Sequence, residues 1–421
     1  MSRRPFTLLL TANAISITGT SMTLLAVPWF VLQTTGSPAR TGVAAACETV
    51  PLVLASAFGG PLVDRLGART TAIVSDLLSA VGVTLVPLLA LTVGLRFWQL
   101  CLFVGLTGLV RAPGDTARAV LVPGLVELAG TPMGRATSAF DGVSRGARMV
   151  GAPLAGVLIA ALGPAQVLLV DAGTFLVSAA LLRTALPVAV RTAPEHAGRY
   201  LTQLREGIGG LRRDRLILAI VSMVLLTNLL DAAWATVFMP VYARTVLHSS
   251  VALGLLFGCF GAGALSGTVL YGIVGPRLRR WPVFTAAFLL VGAPRLFLLA
   301  LEPPLVVLLV LSVATGLAAG AINPILSAVE YERIPPHLRS RVFGAMAAGA
   351  LGGMPLGALL GGVVVERAGL QVAVVGAGLL YLLATLSPLV FRVWRQMDDA
   401  RAALPARGRR QPQRKAAPLI T

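Results

Sequence analysis

Charged side chains stand where a lipid-facing surface would forbid them. Glu48, Asp76, Asp115, Asp141 and Asp171, with Arg111, Arg118, Arg145 and Arg148, fall inside apolar runs in the first half of the chain. The second half places only Asp231 and Arg295 there. At about 2.5–3.5 kcal/mol each near mid-bilayer, the nine charges of the first half would cost roughly 20–30 kcal/mol facing lipid. No fold of ordinary stability absorbs that. They must face one another or a wet cavity, where ion pairing between helices and the uptake and release of protons are the available chemistry.

Their spacing makes a pattern. Arg111, Asp115 and Arg118 stand at i, i+4 and i+7 on one helix face, and Asp141, Arg145 and Arg148 repeat it. If the two helices run antiparallel about a short loop near Gly130, Arg118 comes level with Asp141, and Asp115 with Arg145. Arg111 and Arg148 then lie deeper, without a partner on either helix. This intramembrane ladder either glues two helices together or serves gating and coupling. Asp76 and Asp171, nearest the helix ends, read as interfacial. Glu48 and Asp231 lack a partner at helical spacing. A proton carrier must be an acid whose proton affinity moves as its surroundings alternate between wet and dry. Glu48 and Asp231 are therefore the first candidates, with Asp141 and Asp115 behind them. Asn13, Asn228 and Asn323 offer hydrogen-bonding groups to a cavity or to helix packing.

The elements that must position these groups are spanning helices. The 421 residues are 56% hydrophobic and 12% charged, half the charged share of a soluble domain, and the mean hydropathy is +0.83. Apolar runs predict twelve spans, at 6–32, 41–63, 71–94, 98–123, 137–161, 165–185, 216–242, 251–274, 282–301, 305–328, 342–364 and 369–391. Met1–Pro5 leads directly into the first, which is too long for the apolar core of a signal peptide. The net charge of +18 would suggest nucleic acid in a soluble chain. Here the bases crowd the loops on one side, while the opposite loops hold only Arg40, Arg96, Arg244 and Arg367. That bias predicts both termini in the cytoplasm of a cell-membrane protein. Cys47, Cys101 and Cys259 lie in apolar runs, and His196, His248 and His337 are scattered in loops. No disulfide framework, metal spacing, nucleophile–base set or cofactor motif appears.

Two halves are predicted: 1–185 and 216–391, joined by a basic cytoplasmic linker at 186–215 and followed by a basic, disordered tail at 392–421. In the linker Leu201, Leu204, Ile208 and Leu211 recur at helical spacing beside Arg205, Arg212 and Arg213, as in a surface helix or a solvated linker. The halves echo each other at Gly60 and Gly267, Gly114 and Gly320, and Pro153 and Pro355. GAPLAG (Gly151–Gly156) and GGMPLG (Gly352–Gly357) align best.

The turn after the second span, GGPLVDRLGART (Gly59–Thr70), supplies a signature. Gly60, Asp64, Arg65, Gly67 and Arg69 resemble the G-x-x-x-D-R-x-G-x-R-R loop of the major facilitator superfamily, with Thr70 in place of the last base. In it Gly60 would let helices approach closely and Gly67 would take a positive φ. TANAISITGTSM, PGDTARAVLVPGLVE, LVDAGTF, LREGIGGLRRDRLI and FMPVYARTVL look like the drug-exporter branch, which includes macrolide-efflux and enterobactin-exporter relatives. The resemblance implies an all-α fold of two parallel six-helix repeats with a cavity between them. It also implies proton-driven export of a bulky amphiphilic molecule by a cofactor-free, non-enzymatic monomer in a lipid bilayer. It departs in the fourth helix, where only Arg111 fits L-x-x-R-x-x-x-G, and in the fifth, where G-P-x-x-G is reduced to Ala152, Pro153 and Gly156. Two rivals stand beside this reading: a proton-coupled uptake permease on the same fold, and a membrane sensor or scaffold that transports nothing.

Overall fold

The computed structural model describes residues 4–185, 214–334 and 339–398. The first half holds α1 (Arg4–Thr35), α2 (Pro38–Leu66), α3 (Ala68–Leu91), α4 (Phe97–Ala129), α5 (Met133–Leu162) and α6 (Pro164–Ala185). The second opens with α7 (Arg215–Ala233), which passes through a π-turn (Trp234–Phe238) into α8 (Met239–Thr245). There follow α9 (Ser250–Val274), α10 (Arg280–Val291), α11 (Ala293–Ala300), α12 (Leu305–Arg333), α13 (Arg339–Ala368) and α14 (Leu370–Val390). With α7–α8 and α10–α11 each counted as one broken span, twelve spans cross the layer. Ten contain an apolar window long enough for a bilayer among the described residues; α2 and α4, of 29 and 33 residues, complete the set.

Local chemistry sets the turns. Ser37 caps α2 by accepting from the Arg40 N–H at 3.1 Å, and Ser249 caps α9 through Ala252 at 3.2 Å. Gly67, at φ +83°, ends α2 and starts α3 in one residue. Gly292 breaks the ninth span at φ −88° and ψ −93°, and the Tyr381 ring fills the space a side chain would need. That break aims Arg295 inward.

In the first half α4 lies on α2 and α3, while α6 lies on α1 and α3. In the second, α12 lies on α9, α13 on α7, and α14 on α11. The halves meet along two seams, α2 with α13 and α5 with α9. Both seams are closest at the end opposite the termini. A Cβ on Gly42 would lie 3.3 Å from the Gly362 Cα, and one on Gly156 would lie 3.1 Å from the Gly254 Cα. Small residues permit this backbone approach. Ser37 Oγ donates to Glu366 at 2.6 Å, and Ser250 Oγ donates to the Gly156 carbonyl at 3.0 Å. One continuous core there joins Phe30 and Ile159 of the first half to Val237 and Leu253 of the second. At the termini end the first half has its own core of Phe6, Leu9, Val63, Leu121, Leu125 and Leu182, which includes nothing from the second. Among the described residues, the bundle is closed at the end opposite the termini, and at the other end the halves are parted, the first half's own cluster sharing no core with the second.

The tail differs from expectation at its start. Arg392–Met397 forms a 3-10 turn rather than unpacked chain. Trp394 is buried against Phe284, rings 5.7 Å apart, and with Met397 it plugs the end of the second half. Residues 399–421 and the predicted linker helix, with Leu201, Leu204, Ile208 and Leu211, lie outside the described residues.

Asp214 ties this end together. Its carboxylate caps α7 at Leu216 and Ile217 and accepts from Arg333 Nε at 2.7 Å. Burial pushes its pKa up, but the Arg333 fork and the two backbone donors outweigh burial and hold it below the ordinary carboxylate range. A depressed folded value means that this stabilisation is present above the unfolded pKa and is lost as pH falls through the folded one. Asp214→Asn keeps the cap and loses the ion pair. It is expected to cost about 1–3 kcal/mol at neutral pH. The thermal midpoint of the purified variant should also respond less to acidification than that of the native chain.

Candidate functional site

The first half gathers its charges into a buried network. Arg118 is 3% exposed. It pairs with Asp76 of α3 and, at 3.1 Å, with Asp115 of its own helix, and it donates to Ser16 Oγ of α1 at 3.0 Å. Asp76 also accepts from Ser178 Oγ of α6 at 2.7 Å. One guanidinium thus ties α4 to α1 and α3, and through Asp76 to α6. Arg111 reaches Glu48 of α2 at 3.4 Å and Asp115 at 3.8 Å. Asp171 of α6 is fully buried and accepts from the Thr23 hydroxyl of α1 and from Thr174 at 3.0 Å.

This arrangement corrects several expectations. The ladder pairs Arg118–Asp141 and Asp115–Arg145 do not form. The reason is packing: α4 lies on α2 and α3, while α5 turns away to lie between α1 and α9. Asp141, Arg145 and Arg148 are exposed, and among the described residues none makes an ion pair. They remain near the α4 charges, since Arg148 has Asp115, Arg111, Arg145 and Asp141 as its electrostatic neighbours. Asp76 and Asp171, expected near the interface, are covered by protein: at 2% and 0% exposure they are among the most buried acids of the described residues. Glu48 and Asp231, which have no partner on their own helices, both find an arginine on another helix.

In the second half Asp231 sits one turn before the π-turn and pairs with Arg295, just past the Gly292 break. The Arg295 guanidinium lies 4.9 Å over the Trp234 ring and 5.8 Å from that of Tyr381. Tyr381 lines the same cavity wall as Asp231. The pair stands between two cavities. One, of about 450 Å³, opens toward the termini end and is lined by Asn228, Asn323, Glu330 and Tyr381 among others. The second, of about 210 Å³, lies toward the closed end, lined by Trp234, Met239, Leu256 and Leu308 among others. Asp231, Arg295 and Phe260 belong to both walls. Both cavities are lined by residues of the second half.

The remaining predicted residues take separate places. Asn13 donates to Ser144 Oγ at 2.9 Å and packs α1 on α5. Asn228 donates to the Ala350 carbonyl at 2.9 Å, which joins α7 to α13 at the cavity wall. In the loop signature Asp64 and Arg65 are exposed, and Arg69 donates to the Arg183 carbonyl at 2.7 Å, pinning the turn to the end of α6. Gly60 has open space beside it; the close approach to α4 falls one residue earlier, at Gly59, where a Cβ would lie 2.8 Å from Thr116 Oγ1. Glu330 is a residue that reading by runs missed, because the tenth span was ended at 328 whereas α12 continues to Arg333. Its i, i+4, i+7 spacing with Asn323 and Ser327 was the available signal.

Comparison with known proteins gives a consistent result. The family model described as Major Facilitator Superfamily matches residues 9–264 and 223–420. The chain is 30% identical over 404 residues to the multidrug efflux pump Tap of Mycolicibacterium fortuitum, covering 94% of this chain and 98% of that one. It is 29% identical over 405 residues to the protein of the same name from Mycobacterium tuberculosis (strain ATCC 25618 / H37Rv), covering 95% and 96%. Among solved structures, nucleoside transporter NupG matches with a TM-score of 0.74 at 14% identity, over 92% of this chain and 98% of that chain. A bacterial homologue of iron transporter ferroportin, in an inward-facing state, matches with a TM-score of 0.75 at 15% identity, over 94% and 99%. At these identities the structures speak for the fold alone.

Proposed function

The chain belongs to the Major Facilitator Superfamily, and on that premise we propose that it exports a bulky amphiphilic small molecule in exchange for protons. The observation that carries the cargo class is the larger cavity of the second half. At about 450 Å³ it suits a drug-sized molecule. Its wall combines the rings of Phe260, Phe288, Phe343 and Tyr381 with the polar ends of Asn228, Asn323 and Glu330. Glu330 has no base paired with it among the described residues, so the cavity favours a cationic or zwitterionic amphiphile over an anion. The full-length relatives are named as multidrug efflux pumps, which supports outward transport.

In this reading both termini are cytoplasmic, the parted end of the bundle faces the cytoplasm, and a single chain suffices. Cysteines placed at Arg96 and Arg367 are expected to react with an impermeant maleimide applied to intact cells, and one at Arg280 only after lysis; the reverse labelling would invert the topology. The function is tested by accumulation. A strain expressing the chain should hold less of at least one member of a panel of cationic dyes, macrolides and other amphiphiles than the strain without it. Higher accumulation would favour the uptake permease. No difference across the panel, with no proton-linked flux, would favour the sensor or scaffold.

A further inference from the structure

Of the buried acids in the first half, Asp76 and Glu48 are each matched to an arginine, and Asp171 is not. It has 0% exposure, and no guanidinium lies within ion-pairing distance of it among the described residues. Its partners are two hydroxyls, Thr23 on one carboxylate oxygen and Thr174 on the other. A hydroxyl serves either state of a carboxyl group, donating to the anion or accepting from the acid. An arginine serves only the anion. Of the helices packed on α6, α1 presents Thr23 without a charge, and α3 presents Asp76, already held by Arg118 and Ser178. The α5 charges nearest this level, Arg145 and Arg148, are exposed. The charges that Asp171 senses are Arg111 and Glu48.

A route to it exists. Thr23 and Glu48 line one small cavity of about 10 Å³, with Thr107 as a third polar wall, about the space of one water. On the other side of Glu48 stand Arg111 and then Asp115, whose side chain is 51% exposed. Thr23 and Glu48 thus face one another across a space for one water, and Glu48 is joined through Arg111 to the half-exposed Asp115. We propose that Asp171 is the proton-holding carboxyl of the transport cycle, loaded and emptied through Thr23 and the small cavity beside Glu48.

The step balances. A protonated Glu48 gives its proton to the cavity water, the water gives one to Thr23 Oγ, and the Thr23 hydroxyl gives its own to Asp171. Glu48 ends as a carboxylate beside Arg111, Asp171 ends neutral, and water and Thr23 are unchanged apart from their orientation. Each acid is thus left in the state that its neighbours suit: the charge rests on the paired site and the proton on the dry one. Release runs the same steps backward. Proton handling then belongs to the first half and the cargo cavity to the second, so the two loads need not share a site.

This inference rests on the proton-exchange reading, and the test separates the two. The purified full chain in lipid nanodiscs, with no cargo, is titrated by infrared difference spectroscopy. The native chain should show a carboxylic-acid C=O band that Asp171→Asn removes and whose titration Thr23→Val displaces. In proteoliposomes, ethidium movement driven by an imposed pH gradient should fall at least about tenfold in Asp171→Asn, equivalent to 1.4 kcal/mol. Thr23→Val keeps the carboxyl and tests the route even if Asp171→Asn does not fold. A band that survives Asp171→Asn, or a titration and flux indifferent to Thr23→Val, would overturn the assignment while proton exchange stands. If native ethidium movement ignores the pH gradient, proton exchange itself fails, and the carrier role of Asp171 with it.

Discussion

Arg295→Ala is expected to abolish transport, the largest single effect in the second half. The change leaves Asp231 in the wall between the two cavities without its base; its side chain is 38% exposed there, so the cost falls below the roughly 3–5 kcal/mol of a fully buried unpaired charge. It also removes the cation stacked over Trp234 and beside Tyr381. Arg295→Lys keeps the charge but not the planar fork, so partial activity is expected at most. The double variant Asp231→Asn with Arg295→Gln separates structure from gating. Two neutral amides of similar shape should recover membrane expression, because no charge is left unpaired. If the pair must part and reform between the cavities, transport should stay lost. Ethidium efflux and membrane yield are the two readouts. Native efflux from Arg295→Ala would remove the pair from the mechanism, and full recovery by the double variant would reduce it to glue.

Gly156→Leu is expected to stop the cycle by a different route. A Cβ there would lie 3.1 Å from the Gly254 Cα, and the other near atoms are also backbone, so nothing at the seam rotates away. The first half keeps its separate core at the termini end and the change is confined to the seam, so the chain should still insert and fold. The closed end cannot then seal, and a transporter held on one side of its equilibrium does not turn over. Transport should fall more than about tenfold, or 1.4 kcal/mol on the rate, with membrane yield kept. Spin labels at Arg40 and Arg367, in the two halves at the closed end, should report a longer distance than in the native background. An unchanged distance with native transport would show that this contact is not needed for closure.

How much of this was legible depended on whether a feature is local. The spans are local, since each is a run of apolar residues, and Gly67 marked its own turn because the chain must reverse there. Spacing also showed which charges share a helix face. It did not show what the face meets. Arg118 finds Asp76 and Arg111 finds Glu48 because α4 lies against α3 and α2, a choice made by tertiary packing and silent in the spacing of α4. The same choice carried α5 away and left Asp141 and Arg145 facing open space. Asp171 read as interfacial from its nearness to a helix end, yet α1 covers it, with Gly19 close against its side chain. Glu330 was hidden by a boundary drawn five residues short of the end of α12 at Arg333.

The central claim is exchange, and it is tested most directly by following both species in one vesicle. Purified chain is reconstituted into proteoliposomes that enclose a pH indicator, with no gradient imposed, and ethidium is added outside. The account predicts that ethidium entry through molecules with their cytoplasmic side outward drives protons out, so the lumen turns alkaline in step with dye uptake, and that Asp171→Asn abolishes the pH change. Dye uptake with a steady lumenal pH, or with acidification, would contradict it.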